Sequence, residues 1–120
     1  MRIPENVIPY TYQESKRVFE NNFPIKEAAE NINKKYGIKI TSCSDYCYYF
    51  RYLITSDGSC RILSSYTQEY YLKRIHEDYG KEQLAKSLNA FLQLIEKFEK
   101  QNNSIKPSMR KIYNKYLKFV

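Results

Sequence analysis

The sequence predicts an all-α protein, a single compact bundle of about six helices. Apolar residues recur at the three- and four-residue spacing of helices along most of the chain, and residues that favour caps or turns separate these stretches. Three glycines and four prolines in 120 residues are too few for a long flexible linker. We therefore expect one ordered helical domain that spans residues 1–120.

The N-terminal residues predict an extended segment and then a first helix. Residues 1–10 contain two prolines and are expected to form an extended lead-in. Thr11 followed by Glu14 has the spacing of a capping box, so the helix is expected to begin there. Asn21 and Asn22 are expected to end it.

The next two helices have the outline of a helix-turn-helix. The first is expected to run from Pro24 to Gly37, a residue that tolerates left-handed backbone. Ser42 or Ser44 is expected to cap the second, which makes the connection longer than a standard tight turn. The inward stripe of the second helix would consist of Tyr46, Tyr49, Phe50 and Leu53.

A β-hairpin is the alternative for the same region. Aromatic and apolar residues also alternate there as in a strand, at Tyr48, Phe50, Tyr52 and Ile54. Asp57 and Gly58 then form a strong turn signal. The sequence therefore leaves a short hairpin near Asp57 and Gly58 open beside the helix.

Three more helices are predicted in the second half of the chain. Ser65 and Gln68 form another capping box, and Gly80 is expected to end the helix that they begin. A long apolar stripe predicts a helix over residues 81–100. Residues 107–120 predict a basic amphipathic helix, with an apolar side made of Met109, Ile112, Tyr113, Tyr116, Leu117 and Val120.

The charge pattern indicates an acidic partner. The formal net charge is +7, and residues 81–120 contribute nine basic side chains against three acidic ones. Thirteen tyrosines and no tryptophan accompany this charge. Because cations bind phosphate oxygens and tyrosine rings stack on bases, nucleic acid is the first predicted partner, DNA before RNA.

The outward residues of the tyrosine-rich helix are the candidate base readers. Opposite its apolar stripe, the residues expected at the surface are Asp45, Tyr48, Arg51 and Tyr52. The guanidinium group of Arg51 is suited to contact guanine or phosphate. The tyrosines are suited to stack on bases or to contact phosphate oxygens. The predicted contacts to the nucleic-acid backbone are basic side chains: Arg61, Lys73, Arg74, Arg110, Lys111, Lys115 and Lys118.

Metal binding and catalysis are not predicted. Three cysteines, an odd number, without an apolar leader or membrane span indicate reduced thiols and a cytoplasmic protein. His76 is the only histidine, and no nucleophile pairs with a base, so we expect no enzyme activity, no metal and no cofactor. The candidate zinc ligands are Cys43, Cys47, Cys60 and His76. A structural zinc site usually draws its ligands from two closely spaced pairs, and these four residues do not form two such pairs.

Several stretches together resemble a known family. They are Ile25–Tyr36, the helix containing Tyr49 and Phe50, Gly58–Leu63, Thr67–Gly80 and Leu84–Glu99. Their pattern, with Tyr-Tyr-Leu and Asp-Tyr-Gly signatures, resembles the helical N-terminal module that precedes the nuclease domain in some bacterial His-Asn-His (HNH) restriction-type endonucleases. The resemblance implies a DNA-recognition module without the nuclease half, and hence without catalysis.

A protein-binding role is the alternative function. Exposed Tyr and Arg side chains also anchor protein interfaces. The same surface therefore suits a small phage- or mobile-element-encoded inhibitor or adaptor, similar to an anti-CRISPR protein. Its partner would be a protein of a nucleic-acid-targeting defence system.

Overall fold

The computed structural model describes residues 3–120, and within this range the regular secondary structure is entirely helical. The predicted all-α class is therefore confirmed. A short 3-10 turn at Glu5–Val7 precedes the α-helices, which are α1 (Ile8–Asn21), α2 (Ile25–Tyr36), α3 (Ile40–Thr55), α4 (Ser65–Tyr79), α5 (Lys81–Asn102) and α6 (Pro107–Leu117).

The hairpin alternative near Asp57 and Gly58 is wrong. α3 continues through Thr55, and residues 56–63 contain no strand. Ser56 and Gly58 have left-handed φ angles of 63° and 78°. The chain therefore leaves helical geometry in a turn, without pairing in a sheet.

The helices belong to two units. The first comprises the chain up to Tyr52 together with Asp57–Leu63, and so contains α1, α2 and most of α3. The second comprises Leu53–Ser56 and Ser64–Val120, and so contains α4, α5 and α6. Each unit buries apolar side chains of its own helices.

The chain becomes helical earlier than the sequence predicted. The extended lead-in expected for residues 1–10 is wrong from Glu5 onward, and residues 1 and 2 lie outside the described range. Val7 and Ile8 are each 2% exposed, so their burial favours a turn at this point over an extended segment. Pro9 lies in the first turn of α1, where its missing N–H removes no helical hydrogen bond.

The predicted capping box at Thr11 and Glu14 is wrong because both residues lie inside α1. The Thr11 hydroxyl donates to the Ile8 carbonyl at 2.7 Å. The Glu14 carboxylate is buried and accepts a hydrogen bond of 2.9 Å from the Asn31 amide. Glu14 thus connects α1 to α2. Asn22 ends α1 as expected, with a left-handed φ of 55°.

The connection between α2 and α3 is three residues long. Gly37 ends α2 with a φ of 70°, as predicted. α3 begins at Ile40, so the expected cap at Ser42 or Ser44 is wrong, and both serines lie inside the helix. The connection is therefore as short as the turn of a helix-turn-helix, contrary to the longer one expected from the sequence.

Burial of Ile38 explains this short connection. The Ile38 carbonyl accepts hydrogen bonds from the Asn33 side chain at 2.7 Å and from the Cys43 thiol at 3.4 Å. These contacts hold the turn from both sides. Ile38 packs in a buried cluster of the first unit with Val7, Ala29, Ile32 and Cys43.

The inward stripe of α3 is confirmed. Its four members are each at most 4% exposed: Tyr46, Tyr49, Phe50 and Leu53. The Phe50 ring meets the Tyr12 ring of α1 edge-on, with the ring centroids 5.4 Å apart. Such a contact stabilises the fold by more than the burial of apolar surface alone. It packs α3 against α1 within the first unit.

In the second unit, the cap of α4 lies one residue earlier than predicted. The cap is Ser64 and not Ser65, and the Ser64 hydroxyl accepts a hydrogen bond of 3.2 Å from the Thr67 N–H. The side chain of Gln68, the other member of the predicted capping box, is buried. Gly80 ends α4 as predicted, with a φ of 89° and its N–H donating to the helix.

The last two helices supply much of the buried side of the second unit. The apolar stripe of α5 is buried as predicted. α6 ends at Leu117, so the helix expected over residues 107–120 is three residues too long. Leu117 and Val120 are exposed, contrary to prediction. Hydrogen bonds from Phe119 to Tyr116 and from Val120 to Leu117 close these last residues into turns.

Candidate nucleic-acid interface

Tyr48 and the half-buried Arg51 form a cation–π contact on the side of α3 opposite its buried stripe. Tyr48 is 37% exposed, and the Arg51 guanidinium carbon lies 5.0 Å from the centre of its ring. A cation in this position is attracted by the face of the ring, by about 0.5–1 kcal/mol at an exposed site. The attraction therefore favours this arrangement of the two side chains.

Gly58 makes room for this arrangement. Its φ of 78° lies in the left-handed region, and a Cβ atom added there would lie 2.5 Å from Nη2 of Arg51. A side chain at this position would therefore displace the guanidinium. Glycine satisfies both the backbone geometry and the close approach.

An open groove of about 420 Å³ surrounds the pair in the first unit. The residues that line it include Asp45, Tyr48, Arg51, Gly58, Cys60 and Arg61. Arg61 is exposed, so two guanidinium groups and one carboxylate share this groove. The structure thus brings together Tyr48, Arg51 and Arg61 from the predicted site.

Tyr52 does not belong to this surface. The sequence predicted that it would be exposed beside Arg51, but only 9% of it is exposed. Burial raises the pKa of its hydroxyl, as expected for a ring that belongs to the core. α3 is therefore buried over a wider arc than a stripe of four residues indicates.

Three lysines around the α2–α3 connection were not predicted as site residues from the sequence. Lys34, Lys35 and Lys39 are exposed, two in the last turn of α2 and one in the connection. The Lys35 ammonium also lies 4.4 Å from the centre of the Tyr10 ring. Their clustering at the end of a predicted helix was the signal that could have identified them.

Arg110 of the second unit, one of the predicted backbone contacts, is bound by a carboxylate. Its Nη2 and Nε donate to the two oxygens of Glu99 at 2.6 and 2.8 Å. This bidentate pair joins α6 to α5. Hydrogen bonds from Arg110 and from the Lys106 backbone lower the pKa of Glu99 to about 2. Arg110 therefore serves the packing of its own unit.

Two other predicted contacts are also engaged. Lys115 donates to Glu69 of α4. Arg74 lies 3.5 Å from a Glu77 oxygen and 3.6 Å from an Asp78 oxygen. Both cations thus share their charge with carboxylates of the second unit. The remaining predicted contacts in this unit, which are exposed, are Lys73, Lys111 and Lys118.

A second groove, which we call the α4–α6 groove, lies within the second unit. It has a volume of about 460 Å³, and aromatic rings of α4 and of the C-terminal residues line it with Lys73. The Tyr66 and Tyr70 rings are stacked, with centroids 6.2 Å apart and planes at 17°. Phe119 lies 5.4 Å from the His76 ring. This groove was not predicted from the sequence, because its aromatic residues were expected in the core or in no site.

The cysteines show no sign of metal binding. Cys43 and Cys47 are buried, Cys60 is half-buried, and none of the three forms a disulfide. Burial raises the pKa of the Cys47 thiol to about 11, so this group stays protonated at neutral pH. Within residues 3–120, no three His, Cys, Asp or Glu side chains cluster as a metal site would require.

No helix in the described part of the chain combines the length and the apolar character that crossing a membrane requires. Comparisons with protein-family models, with curated proteins and with solved structures gave no match to this chain. The resemblance to the module of HNH endonucleases therefore depends on the residues alone and stays a prediction.

Proposed function

We propose that this protein binds nucleic acid without catalysis, and that the outward face of α3 in the first unit contacts duplex DNA. The observation that carries the proposal is the cation–π contact of Tyr48 and Arg51, which line one open groove with Arg61. Arginine held in this way is suited to bidentate hydrogen bonds with guanine or phosphate.

The local architecture supports this role for α3. A helix, a three-residue turn with glycine and a second helix have the outline of units whose second helix enters the major groove. Tyr48 and Arg51 lie on the side of α3 opposite its buried stripe. A groove of DNA about 12 Å wide admits one such helix.

Asp45 distinguishes this groove from a surface that binds only phosphates, because such a surface would contain no carboxylate. Its carboxylate lines the same groove as Arg51 and Arg61, and it would repel a phosphate. A carboxylate can accept from the N4 amino group of cytosine, whereas Arg contacts guanine. The combination therefore favours contact with base edges over contact with the backbone alone.

The lysines around the turn would contact the DNA backbone. Lys34, Lys35 and Lys39 are exposed at the end of α2 and before α3. Phosphate contacts position a protein on the duplex, while base contacts specify the sequence. The first unit thus contains residue types for both tasks.

A mobility-shift titration with a mixed-sequence duplex at two salt concentrations tests the proposal. We expect binding that weakens with salt, with a log–log slope of about 0.9 for each phosphate contact. Tyr48→Ala and Arg61→Ala should each weaken binding. Lys86→Ala, which removes an exposed cation of α5, is the matched control and should leave the affinity unchanged.

Two results would contradict the proposal. One is the absence of binding to the duplex at low salt. The other is an equal loss of affinity in Lys86→Ala and in Arg61→Ala, since the affinity would then follow net charge and not the α3 face.

A protein-binding inhibitor or adaptor remains the second candidate function, and one observation favours it. Leu117 at the end of α6 and Phe119 and Val120 after it are large apolar residues that are exposed. Exposed apolar groups of this kind are found at protein interfaces. A pull-down that recovers one stoichiometric protein, from a chain with no affinity for DNA, would favour this function.

A further inference from the structure

We infer that the α4–α6 groove of the second unit binds unpaired nucleotides of a single-stranded nucleic acid. This inference does not depend on the α3 proposal, because it concerns other residues and another form of the ligand. The groove is lined by Tyr66, Tyr70, Lys73, His76, Tyr116 and Phe119, together with two carboxylates discussed below.

The groove is elongated along α4. Tyr66, Tyr70, Lys73 and Glu77 follow one another on a single face of this helix, at intervals of three and four residues. With a rise of about 1.5 Å per residue, this face is roughly 16 Å long. A stacked strand advances about 3.4 Å per nucleotide, so the groove accommodates at most about five nucleotides.

The aromatic rings offer open faces to a planar ligand. Tyr66 is 40% and Phe119 is 49% exposed, although both are large rings that burial would stabilise. The Tyr66 and Tyr70 rings are nearly parallel along the groove. Aromatic rings that follow one another along a groove are the platforms on which the bases of single strands stack.

The balance of charge in the groove favours a phosphate. The Glu69 carboxylate accepts from Lys115, and the Glu77 carboxylate lies 3.5 Å from Arg74. Both carboxylates are thus already engaged by cations of the second unit. Lys73, by contrast, forms no ion pair with any other residue of the described chain.

The Tyr116 hydroxyl lies near the Glu69 carboxylate. Burial and the adjacent Glu69 carboxylate raise the pKa of the Tyr116 hydroxyl to about 12. The hydroxyl therefore keeps its proton at neutral pH and adds no charge to the groove. The charge left for a ligand in this groove is the Lys73 ammonium, which matches a single phosphate between two bases.

The form of the ligand follows from the position of the rings. In a duplex the base faces stack on one another, so rings that line a groove cannot reach them. Bases of a single strand are accessible to stacking and need no specific hydrogen bond. The groove therefore fits an unpaired strand and not a duplex.

Fluorescence anisotropy with a labelled thymidine hexamer tests the inference on the whole chain. Tyr66→Ala and Phe119→Ala should each weaken binding by about 5- to 100-fold, the range measured for the loss of one stacked base. Lys73→Ala should lower the log–log salt slope by about 0.7, since single strands lose about that much per phosphate contact.

The matched controls are Ile105→Ala, which removes an exposed apolar side chain outside the groove, and Lys86→Ala, which removes an exposed cation of α5. Both should bind the hexamer like the unaltered chain. A hexamer of abasic sites keeps the phosphates and removes the bases, so its binding should be weaker by at least 10-fold if stacking holds the strand.

Three outcomes would overturn the inference. They are no binding of the hexamer, an unchanged affinity in Tyr66→Ala and Phe119→Ala, or equal affinity for the abasic hexamer. A chain that binds the duplex but not the hexamer refutes this groove and leaves the α3 proposal intact. A chain that binds the hexamer but not the duplex refutes the α3 proposal alone.

Discussion

The two units differ in how they use their basic side chains. The second unit has the larger excess of basic residues, +5 against +2 in the first. Yet Arg110 and Lys115 of the second unit are bound to Glu99 and Glu69. In the first unit, Arg61 is exposed in an open groove.

This difference teaches that an excess of charge is not the same as available charge. An arginine that already donates hydrogen bonds to a carboxylate binds a phosphate less well, because the two anions compete for the same N–H donors. The surface best suited to nucleic acid can therefore lie in the unit with the smaller net charge. Four experiments test this comparison.

The largest expected effect is on stability and concerns the core of the second unit. Phe91 is fully buried in α5, and Phe91→Ala should lower the free energy of unfolding by about 3–5 kcal/mol, because it leaves a cavity. Urea unfolding measures this loss. Hydrogen exchange should show the loss of protection in α4, α5 and α6, and a loss of less than about 1 kcal/mol would contradict the packing described for this unit.

The second test sets Arg51 against Arg110. Arg51→Ala should weaken duplex binding by about 1–3 kcal/mol, the usual cost of removing an arginine that contacts guanine. Arg110→Ala should leave duplex affinity unchanged and lower the melting temperature, because Arg110 holds α6 to α5. Parallel mobility-shift and thermal-melting measurements separate the two effects.

Arg51→Lys serves as the control for this pair. It keeps the charge but loses the planar, bidentate donor, so it should restore only part of the affinity. Equal losses of affinity in Arg51→Ala and Arg110→Ala would show that both units contribute charge alone, and the distinction between them would fail.

The third test concerns the carboxylate in the first groove. Asp45→Asn should reduce the discrimination between base pairs at one position of the site by about 1 kcal/mol or more, because the cytosine contact is weakened. Selection from a library of random duplexes measures this preference. If Asp45 only repels phosphates, Asp45→Asn would instead tighten binding to all sequences equally.

The smallest expected effect is the response of the Arg110–Glu99 pair to acid. The pKa of Glu99 is lowered from 4.5 to about 2, chiefly by its hydrogen bonds with Arg110 and with the Lys106 backbone. A carboxyl group with a lowered pKa in the folded chain stabilises it above the unfolded pKa. This contribution should be lost as the pH falls from about 4.5 to about 2.

Glu99→Gln is the variant for this test. It should remove that part of the acid dependence of the melting temperature and leave the rest of the profile in place. A profile identical to that of the unaltered chain would mean that the pair does not stabilise α6.

The sequence predicted the helices better than their beginnings. Apolar periodicity identified all six α-helices of the described chain, and Gly37 and Gly80 ended two of them as expected. The beginnings of α1 and α3 were misplaced, because burial of Ile8 and Ile38 outweighs the preference of Thr or Ser for caps. Local patterns carry no information about such burial.

The candidate site was predicted in part. Tyr48 and Arg51 could be identified, since helical spacing places them opposite the apolar stripe. The Lys115–Glu69 pair could not, because its members lie 46 residues apart. The prediction that Tyr52 is exposed was wrong for a related reason. The width of the buried face of α3 depends on which residues pack against this helix.

The unequal burial of the cysteines has a practical consequence. Cys43 and Cys47 are inaccessible, whereas Cys60 lies at the rim of the groove that contains Tyr48 and Arg61. A maleimide fluorophore would therefore attach to Cys60 alone in the folded chain, without any substitution. Its emission would then report occupancy of that groove, and its quenching by DNA would be visible in real time against a background free of tryptophan.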